Sequence, residues 1–229
     1  MSLARREQEP RWRFLLLTLS LVAWMLIAPH AGSRWLVQLL LQLFLIHFVV
    51  VTLWSNPGWS RMRMALIAFW LISLASTAWL MTAPEHNTRL ALSLHSAALI
   101  PLLILLASGV LRYVFARRQL DADGLFATVS GYILVGMIFA QVYTLLVLWD
   151  PQSFNAATPL ATLSPQELHA NLLYYSLITL ATVGYGDISP LSDTARTVAV
   201  VEATVGQFYV AVIVAAFVGM YASRQGRPD

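Results

Sequence analysis

The sequence predicts an all-α membrane protein with six transmembrane helices. Of its 229 residues, 59% are hydrophobic and only 11% are charged, about half the charge of a soluble domain. The apolar residues fall in runs near the ~20 residues that a helix needs to cross a bilayer. The segments between the runs carry turn chemistry, as in "SNPGWSRMR" and "TAPEHNTR". The predicted spans are residues 12–28, 35–54, 62–83, 88–111, 125–148 and 195–222.

The basic residues predict the orientation of the six spans. All of them are arginine, which hints at a GC-rich bacterial gene, and eleven of the fourteen fall on one side of the predicted spans. The exceptions are Arg34, Arg89 and Arg196. The positive-inside rule then places the N-terminal residues 1–11 and the tail 223–229 in the cytoplasm, for a multi-pass protein of the cell (inner) membrane. A basic segment before the first span also suits a signal peptide, but no clean cleavage site follows before Pro29.

Between the fifth and sixth spans lies a segment of a different kind. Residues 150–164 are polar and contain prolines, so we expect an exposed loop. Ser164, Pro165 and Glu167 then have the spacing of a capping box with proline at the first helical position. The helix that follows, residues 165–181, is mostly apolar but too short to cross the membrane. We therefore predict a re-entrant helix, and non-helical backbone after it is tolerated only if protein covers it or water reaches it.

The loop after this helix reads "TVGYGD", residues 182–187. Gly184 and Gly186 can adopt left-handed backbone angles, which permits successive carbonyl groups to point the same way. A row of carbonyl oxygens can replace the hydration shell of a cation. The C-terminal end of the re-entrant helix, which is partly negative, would favour a cation at the same place.

Residues 125–222 resemble the pore module of tetrameric potassium channels, of the six-span, one-pore-loop bacterial type. The likeness rests on "TVGYGD" after a capped short helix and before a long span, and this motif is a known potassium filter. The resemblance implies a pore domain at 119–222, with outer helix 125–148, pore helix 165–181, selectivity-filter loop 182–187 and inner helix 195–222. It also implies that K+ is the permeating ion and that no cofactor is needed. The implied filter residues are Thr182, Val183, Gly184, Tyr185 and Gly186, with the carbonyls of the first four and the Thr182 hydroxyl on dehydrated K+.

The same resemblance assigns roles around the filter. Tyr185 would point away from the pore, and Asp187 would lie at the outer mouth. Tyr174 and Tyr175 stand where the family often has a pair of tryptophans, a departure that could soften the packing around the filter.

One filter copy per chain implies a homotetrameric pore, because a ring of oxygens around an ion needs several strands. Transporters with four degenerate filter copies in one chain fit poorly. A non-selective cation channel is the nearest alternative, although such channels usually depart from "GYG". A six-span membrane enzyme or a scaffold is the alternative from another class, but the sequence shows no convincing catalytic pattern, so we expect no enzyme.

Two residues of the sixth span are candidates for gating or filter support. Gly206 lies near the middle of the membrane, where either a hinge or close helix packing would call for glycine. Glu202 is an acidic residue well inside a span, and such carboxylates usually have a partner. We expect it to hydrogen-bond behind the filter, to Thr179 or Ser176, where its protonation would make gating sensitive to pH. A carboxylate wetted by the pore cavity is the alternative.

The four helices of residues 12–118 hold the position of a voltage sensor but lack its charges. Between Arg89 and Arg112 the fourth span has His95 as its only titratable group, and the first three spans contain no Asp or Glu. We expect weak voltage dependence, below about one gating charge per subunit. We expect the bundle to face lipid or an unidentified regulatory protein. Because the positive charge lies beside membrane spans, it gives no reason to expect nucleic acid binding.

Overall fold

A computed structural model describes residues 13–27, 34–55, 60–116 and 122–225. Within these ranges the chain is almost entirely helical, with one small antiparallel pair of strands and two short 3-10 turns, Glu85–Asn87 and Leu160–Thr162. The elements are α1 (Arg13–Ile27), α2 (Arg34–Ser55), α3 (Ser60–Thr82), α4 (Thr88–Phe115), α5 (Ala122–Trp149), β1 (Phe154–Ala156), α6 (Pro165–Leu180), β2 (Ile188–Pro190) and α7 (Asp193–Gln225).

In the described part of the chain, five helices are long and apolar enough to cross a membrane: α2, α3, α4, α5 and α7. They coincide in position with five of the six predicted spans. The remaining helix, α1, is apolar but has only 15 residues. Since ~20 residues are needed to cross a bilayer, the first predicted span, residues 12–28, stays a prediction. The predicted N-terminal segment 1–11 and residues 226–229 of the tail lie outside the described residues.

Three helices exceed their predicted length by four or more residues, and each has a local reason. At the start of α7, the Ser192 hydroxyl accepts a hydrogen bond of 3.2 Å from the amide of Ala195, so the helix begins at Asp193 instead of residue 195. At its other end α7 continues to Gln225, into the predicted tail. The last turn of α4 reaches Phe115 because Tyr113 and Val114 are buried there.

The third of these is α5, which starts at Ala122 instead of residue 125 because the side chain of Asp123 joins three helices. Asp123 is only 5% exposed. Its carboxylate accepts a hydrogen bond from the Phe14 amide at 2.9 Å and one from the Tyr113 hydroxyl at 2.9 Å. These contacts hold the first turns of α1 and α5 against the end of α4.

Helix α5 lies at the centre of the molecule and contacts α1, α4, α6 and α7. On one side α1 to α4 form a bundle whose buried core is made mainly of leucine and phenylalanine. On the other side α6 packs against α5 and α7. The hub position of α5 connects the bundle to the segment that carries the "TVGYGD" loop.

Polar side chains join α2, α3 and α4 inside the bundle. The Gln42 amide donates to the Thr77 hydroxyl at 2.7 Å. His95 on α4 shares hydrogen bonds of 3.1 Å and 3.5 Å with the hydroxyls of Ser76 and Thr77. Because these groups are uncharged partners in an apolar setting, they fix the mutual register of the three helices.

The strands β1 and β2 close one end of the molecule. They pair antiparallel, with Phe154 opposite Pro190 and Ala156 opposite Ile188. The ring of Phe154 packs edge-on against Tyr143 of α5 and Tyr175 of α6, at centroid distances of 5.5 and 5.2 Å. The aromatic cluster thereby anchors the chain that leaves the "TVGYGD" loop.

Candidate functional site

Helix α6 begins with the capping box that the sequence predicts, and this prediction is confirmed. The Glu167 amide donates to the Ser164 hydroxyl at 3.3 Å, and the Ser164 amide donates to the Glu167 carboxylate at 3.0 Å, with Pro165 at the first helical position. These hydrogen bonds hold the pKa of the Glu167 carboxyl below its usual range. The helix ends after 16 residues, about 24 Å, which is less than the ~30 Å of a bilayer's hydrocarbon core.

The sign of φ alternates along the backbone that follows α6. Thr182 has a φ of 57°, Gly184 of 57° and Gly186 of 81°, whereas Val183 and Tyr185 between them do not have positive φ. Alternation of this kind lets successive peptide groups present the same atom to one side. The loop is tied to α6 by a bond of 2.8 Å from the Val183 amide to the Ile178 carbonyl.

Within one chain this loop lies open. Tyr185 is 72% exposed and Val183 52%. A Cβ added at Gly184 or Gly186 would meet no atom within 4 Å. The loop backbone is therefore uncovered on that side of the chain.

Behind α6, Glu202 of α7 is fully buried and makes two hydrogen bonds. It accepts one of 2.6 Å from the Tyr143 hydroxyl on α5, and its other carboxyl oxygen contacts the Ser176 hydroxyl on α6. Of the two partners considered from sequence, the structure brings Ser176 to Glu202, and Thr179 makes no hydrogen bond with it. The carboxyl group thus joins the three helices around the loop.

The hydrogen bonds of Ser176 indicate that Glu202 carries a proton. The Ser176 hydroxyl donates to the Gly136 carbonyl of α5 at 2.7 Å. A hydroxyl has one proton to donate, so its contact with Glu202 needs a proton from the carboxyl group. A neutral carboxyl also suits a site with no exposed surface, where a charge would be costly.

Gly206 of α7 packs directly on the end of α6. A Cβ at this position would collide with the backbone carbonyl of Leu180, the last residue of α6. Close packing alone therefore requires glycine here, and the hinge role stays a prediction.

Two further contacts surround the loop. The Tyr174 hydroxyl donates to the Asp187 carboxylate at 2.8 Å, on the exposed side of the molecule. The Gln207 side-chain amide donates to the Thr182 hydroxyl at 3.2 Å, at the opposite end of the loop. The two neighbouring tyrosines therefore lie in different surroundings: Tyr174 is on the exposed side, whereas Tyr175 is buried in the aromatic cluster with Tyr143.

Sequence reasoning missed Tyr143 and Gln207. Tyr143 lies in an apolar run where a tyrosine gives no sign of its partner, 59 residues away. Gln207 follows Gly206 directly, and a polar residue beside a mid-membrane glycine was the available signal.

The chemistry available at the site is that of backbone oxygen atoms. Among the described residues, no group of three or more His, Asp or Glu side chains could hold a metal ion, and the sequence has no cysteine. The loop carbonyls, a hydroxyl at Thr182 and the C-terminal end of α6 remain, and these suit a weakly held cation.

The site lies in the part of the chain that is similar to known proteins. A family model described as an ion channel matches residues 127–223, which include α6, the loop and most of α5 and α7. Protein LctB of Bacillus caldotenax is 35% identical over 101 residues, which are 44% of this chain and 75% of that protein. Protein LctB of Geobacillus stearothermophilus is 33% identical over 101 residues, with the same coverage of both chains.

We expect Gly206→Ala to destabilise the protein by about 1–3 kcal/mol, because the added methyl group overlaps a backbone atom that cannot rotate away. Thermal unfolding in detergent measures the loss. Gly219→Ala on the same helix is the matched control, since a Cβ there meets nothing within 4 Å in the described chain. Equal melting temperatures for Gly206→Ala and the wild type would contradict the packing role.

Proposed function

Because this chain belongs to the ion-channel family that its residues 127–223 match, we propose that it conducts K+ selectively and passively through the "TVGYGD" loop. The observation that carries the proposal is the alternating sign of φ, positive at Thr182, Gly184 and Gly186, directly after the 16-residue helix α6. Four carbonyl groups per chain, from Thr182 to Tyr185, would replace the water around the ion.

The helix before the loop supports cation binding electrostatically. The last carbonyl groups of α6 lack helical partners and carry a partial negative charge toward the loop. At the inner end, the Thr182 hydroxyl accepts from Gln207 and keeps a second lone pair for an ion. At the outer end, Asp187 supplies a carboxylate at the mouth.

A homotetramer would complete the site. The loop of one chain is open, and α7 exposes a long apolar face whose residues include Val200, Phe208 and Val218, each above 60% exposed. Only 17% of the membrane-spanning window of α7 is buried within the chain. Four copies around a fourfold axis would bury these faces and line the ion path with sixteen carbonyl oxygens, four from each chain.

We also propose a cellular location for this protein. We infer a multi-pass protein of a bacterial cell membrane with both termini in the cytoplasm, from the arginine distribution and from the Bacillus and Geobacillus origin of the two relatives. The bundle gives no reason for steep voltage gating, because neutral contacts join its helices.

Purified protein in liposomes should pass K+ at least about tenfold faster than Na+, because a filter that fits dehydrated K+ coordinates the smaller ion poorly. Ion-specific flux assays with matched gradients measure the ratio. Gly184→Asp should abolish K+ flux, since a φ of 57° is less favourable for a residue with a Cβ and the carboxylates of the four chains would crowd and charge the proposed ring of loops.

Gly219→Ala, outside the loop, should retain K+ flux and serves as the control for handling of the protein. Equal Na+ and K+ fluxes would favour a non-selective cation channel. K+ flux that survives Gly184→Asp would contradict conduction through this loop.

Glu202→Gln should conduct K+ within about twofold of wild type at neutral pH. The glutamine carbonyl can accept from Tyr143 while its amide donates to Ser176, as a neutral carboxyl does. In the wild type, alkaline pH would remove the shared proton and lower the flux, whereas the Gln variant should not respond. Flux measured across a pH series tests this.

Glu202→Leu leaves both hydroxyls without their carboxyl partner and should cost about 1–3 kcal/mol in thermal unfolding. Glu167→Gln, an exposed acid on α6 that keeps its capping role, is the control for other carboxyl groups. The proton switch is wrong if Glu202→Gln shows the pH response of the wild type.

Gln207→Leu should lower K+ flux about fivefold, since a bond near 1 kcal/mol no longer holds the Thr182 hydroxyl. A double-mutant cycle with Thr182→Val isolates the contact. The effect of Gln207→Leu should vanish in the Thr182→Val background. An equal fivefold loss in both backgrounds would show that Gln207 acts elsewhere.

A further inference from the structure

A cavity of about 250 Å³ separates the helix bundle from α6. Helices α1 to α4 form one wall and α5 and α6 the other. Its size exceeds the ~150 Å³ of an engineered cavity that binds benzene, so it has room for a molecule of about ten heavy atoms. Its polar lining residues include Trp24, Gln38, His95, Gln141 and His169.

Among the described residues, those that line this cavity include no Asp, Glu, Lys or Arg, and most of their side chains are apolar. An ionised ligand would have no counter-charge there and would lose its hydration. The occupant that suits these walls is therefore neutral, with a largely apolar body.

The hydrogen bonding of His169, which lines the cavity, leaves one of its ring nitrogens unused. The Gln141 amide nitrogen lies 3.2 Å from His169 Nδ1 and donates to it. The neutral ring then carries its proton on Nε2. That Nε2 atom is buried and has no partner among the described residues.

Two more lining residues have a buried polar atom without a partner in the described part of the chain. One is the indole nitrogen of Trp24, whose ring lies 5.9 Å from that of His169. The other is the side-chain carbonyl oxygen of Gln38. With His169 they amount to two unused donors and one unused acceptor, and each unsatisfied group costs free energy in an apolar interior.

We propose that this cavity is a binding site for a neutral amphiphile whose polar end is a hydroxyl group. An alcohol oxygen accepts up to two hydrogen bonds and its proton donates one. That inventory matches two N–H donors, at Trp24 and His169, and one acceptor, at Gln38. An alkyl chain of about eight carbons would occupy the apolar remainder.

The second wall of the cavity is α6, the helix that leads into the "TVGYGD" loop. An occupant that shifts α6 would change ion flux. That consequence rests on the proposed function, whereas binding itself does not.

Photolabelling tests the site without depending on conduction. The full chain in liposomes is exposed to an octanol that carries a diazirine, and labelled residues are mapped by mass spectrometry. We expect labels on α2 and α6 residues of the cavity. Excess 1-octanol should reduce them at least about tenfold, and 1-chlorooctane, which has no hydroxyl, far less. K+ flux is recorded on the same samples, so failure of conduction and failure of binding are distinguishable.

Val37→Trp fills the cavity and should abolish the competed labelling, while Leu36→Trp, on the exposed side of the same helix, should leave it unchanged. Gln38→Leu removes the acceptor and should weaken octanol competition about fivefold, which covers the case that Val37→Trp does not fold. Labelling confined to lipid-facing residues, competition by 1-chlorooctane equal to that by 1-octanol, or competed labelling that persists in folded Val37→Trp would each overturn the proposal.

Discussion

The contact of α6 with α5 and α7 through Ser176 is the interaction on which the rest of this structure depends. A helix of 16 residues cannot reach both faces of a bilayer, so its position is set by its neighbours and not by lipid. Ser176 bonds to the Gly136 carbonyl on α5 and to Glu202 on α7, and Tyr143 bonds to the same carboxyl group. A proton shared at this point satisfies all three side chains without a buried charge, which is why an acidic residue can stand inside the membrane.

The fixed position of α6 in turn determines the shape of the loop. Thr182 adopts a positive φ, which is costly for a residue with a branched side chain. The bond from Val183 to Ile178 and the bond from Gln207 to Thr182 offset that cost from both sides. The backbone of one chain therefore already has the alternating hand that ion coordination needs, even where no second chain covers it. Further copies would close a ring without having to reshape the loop, a form of preorganisation.

Sequence reasoning could predict the features that depend on neighbouring residues. The capping box at Ser164 is encoded within four residues, and the hydropathy of five spans within about twenty each. The start of α7 was placed two residues late because Ser192 caps without a Glu or Gln at the third helical position, so the pattern is weaker. The hydrogen bond of Tyr143 to Glu202 and the close contact of Gly206 with the Leu180 carbonyl both arise where separate helices pack together. Neither contact leaves a pattern of residue spacing in the sequence. The cavity beside α6 could not be predicted from the sequence for the same reason, since residues of six helices line it.

The bundle is connected to the loop through α5 and α6. The hydrogen bonds between its own helices limit how the bundle could move. A sensor that moves in an electric field needs charges free to change partners. Here Gln42, Thr77 and His95 hold α2, α3 and α4 in register through neutral hydrogen bonds that would be lost in such a movement. A bundle fixed in this way offers a stationary wall instead, and the space it leaves against α6 is where we propose that a neutral molecule binds. The absence of sensor charges from the described helices and the presence of this cavity are thus consistent with one another: a bundle that does not move in the field would influence the loop through the molecule that lies between it and α6.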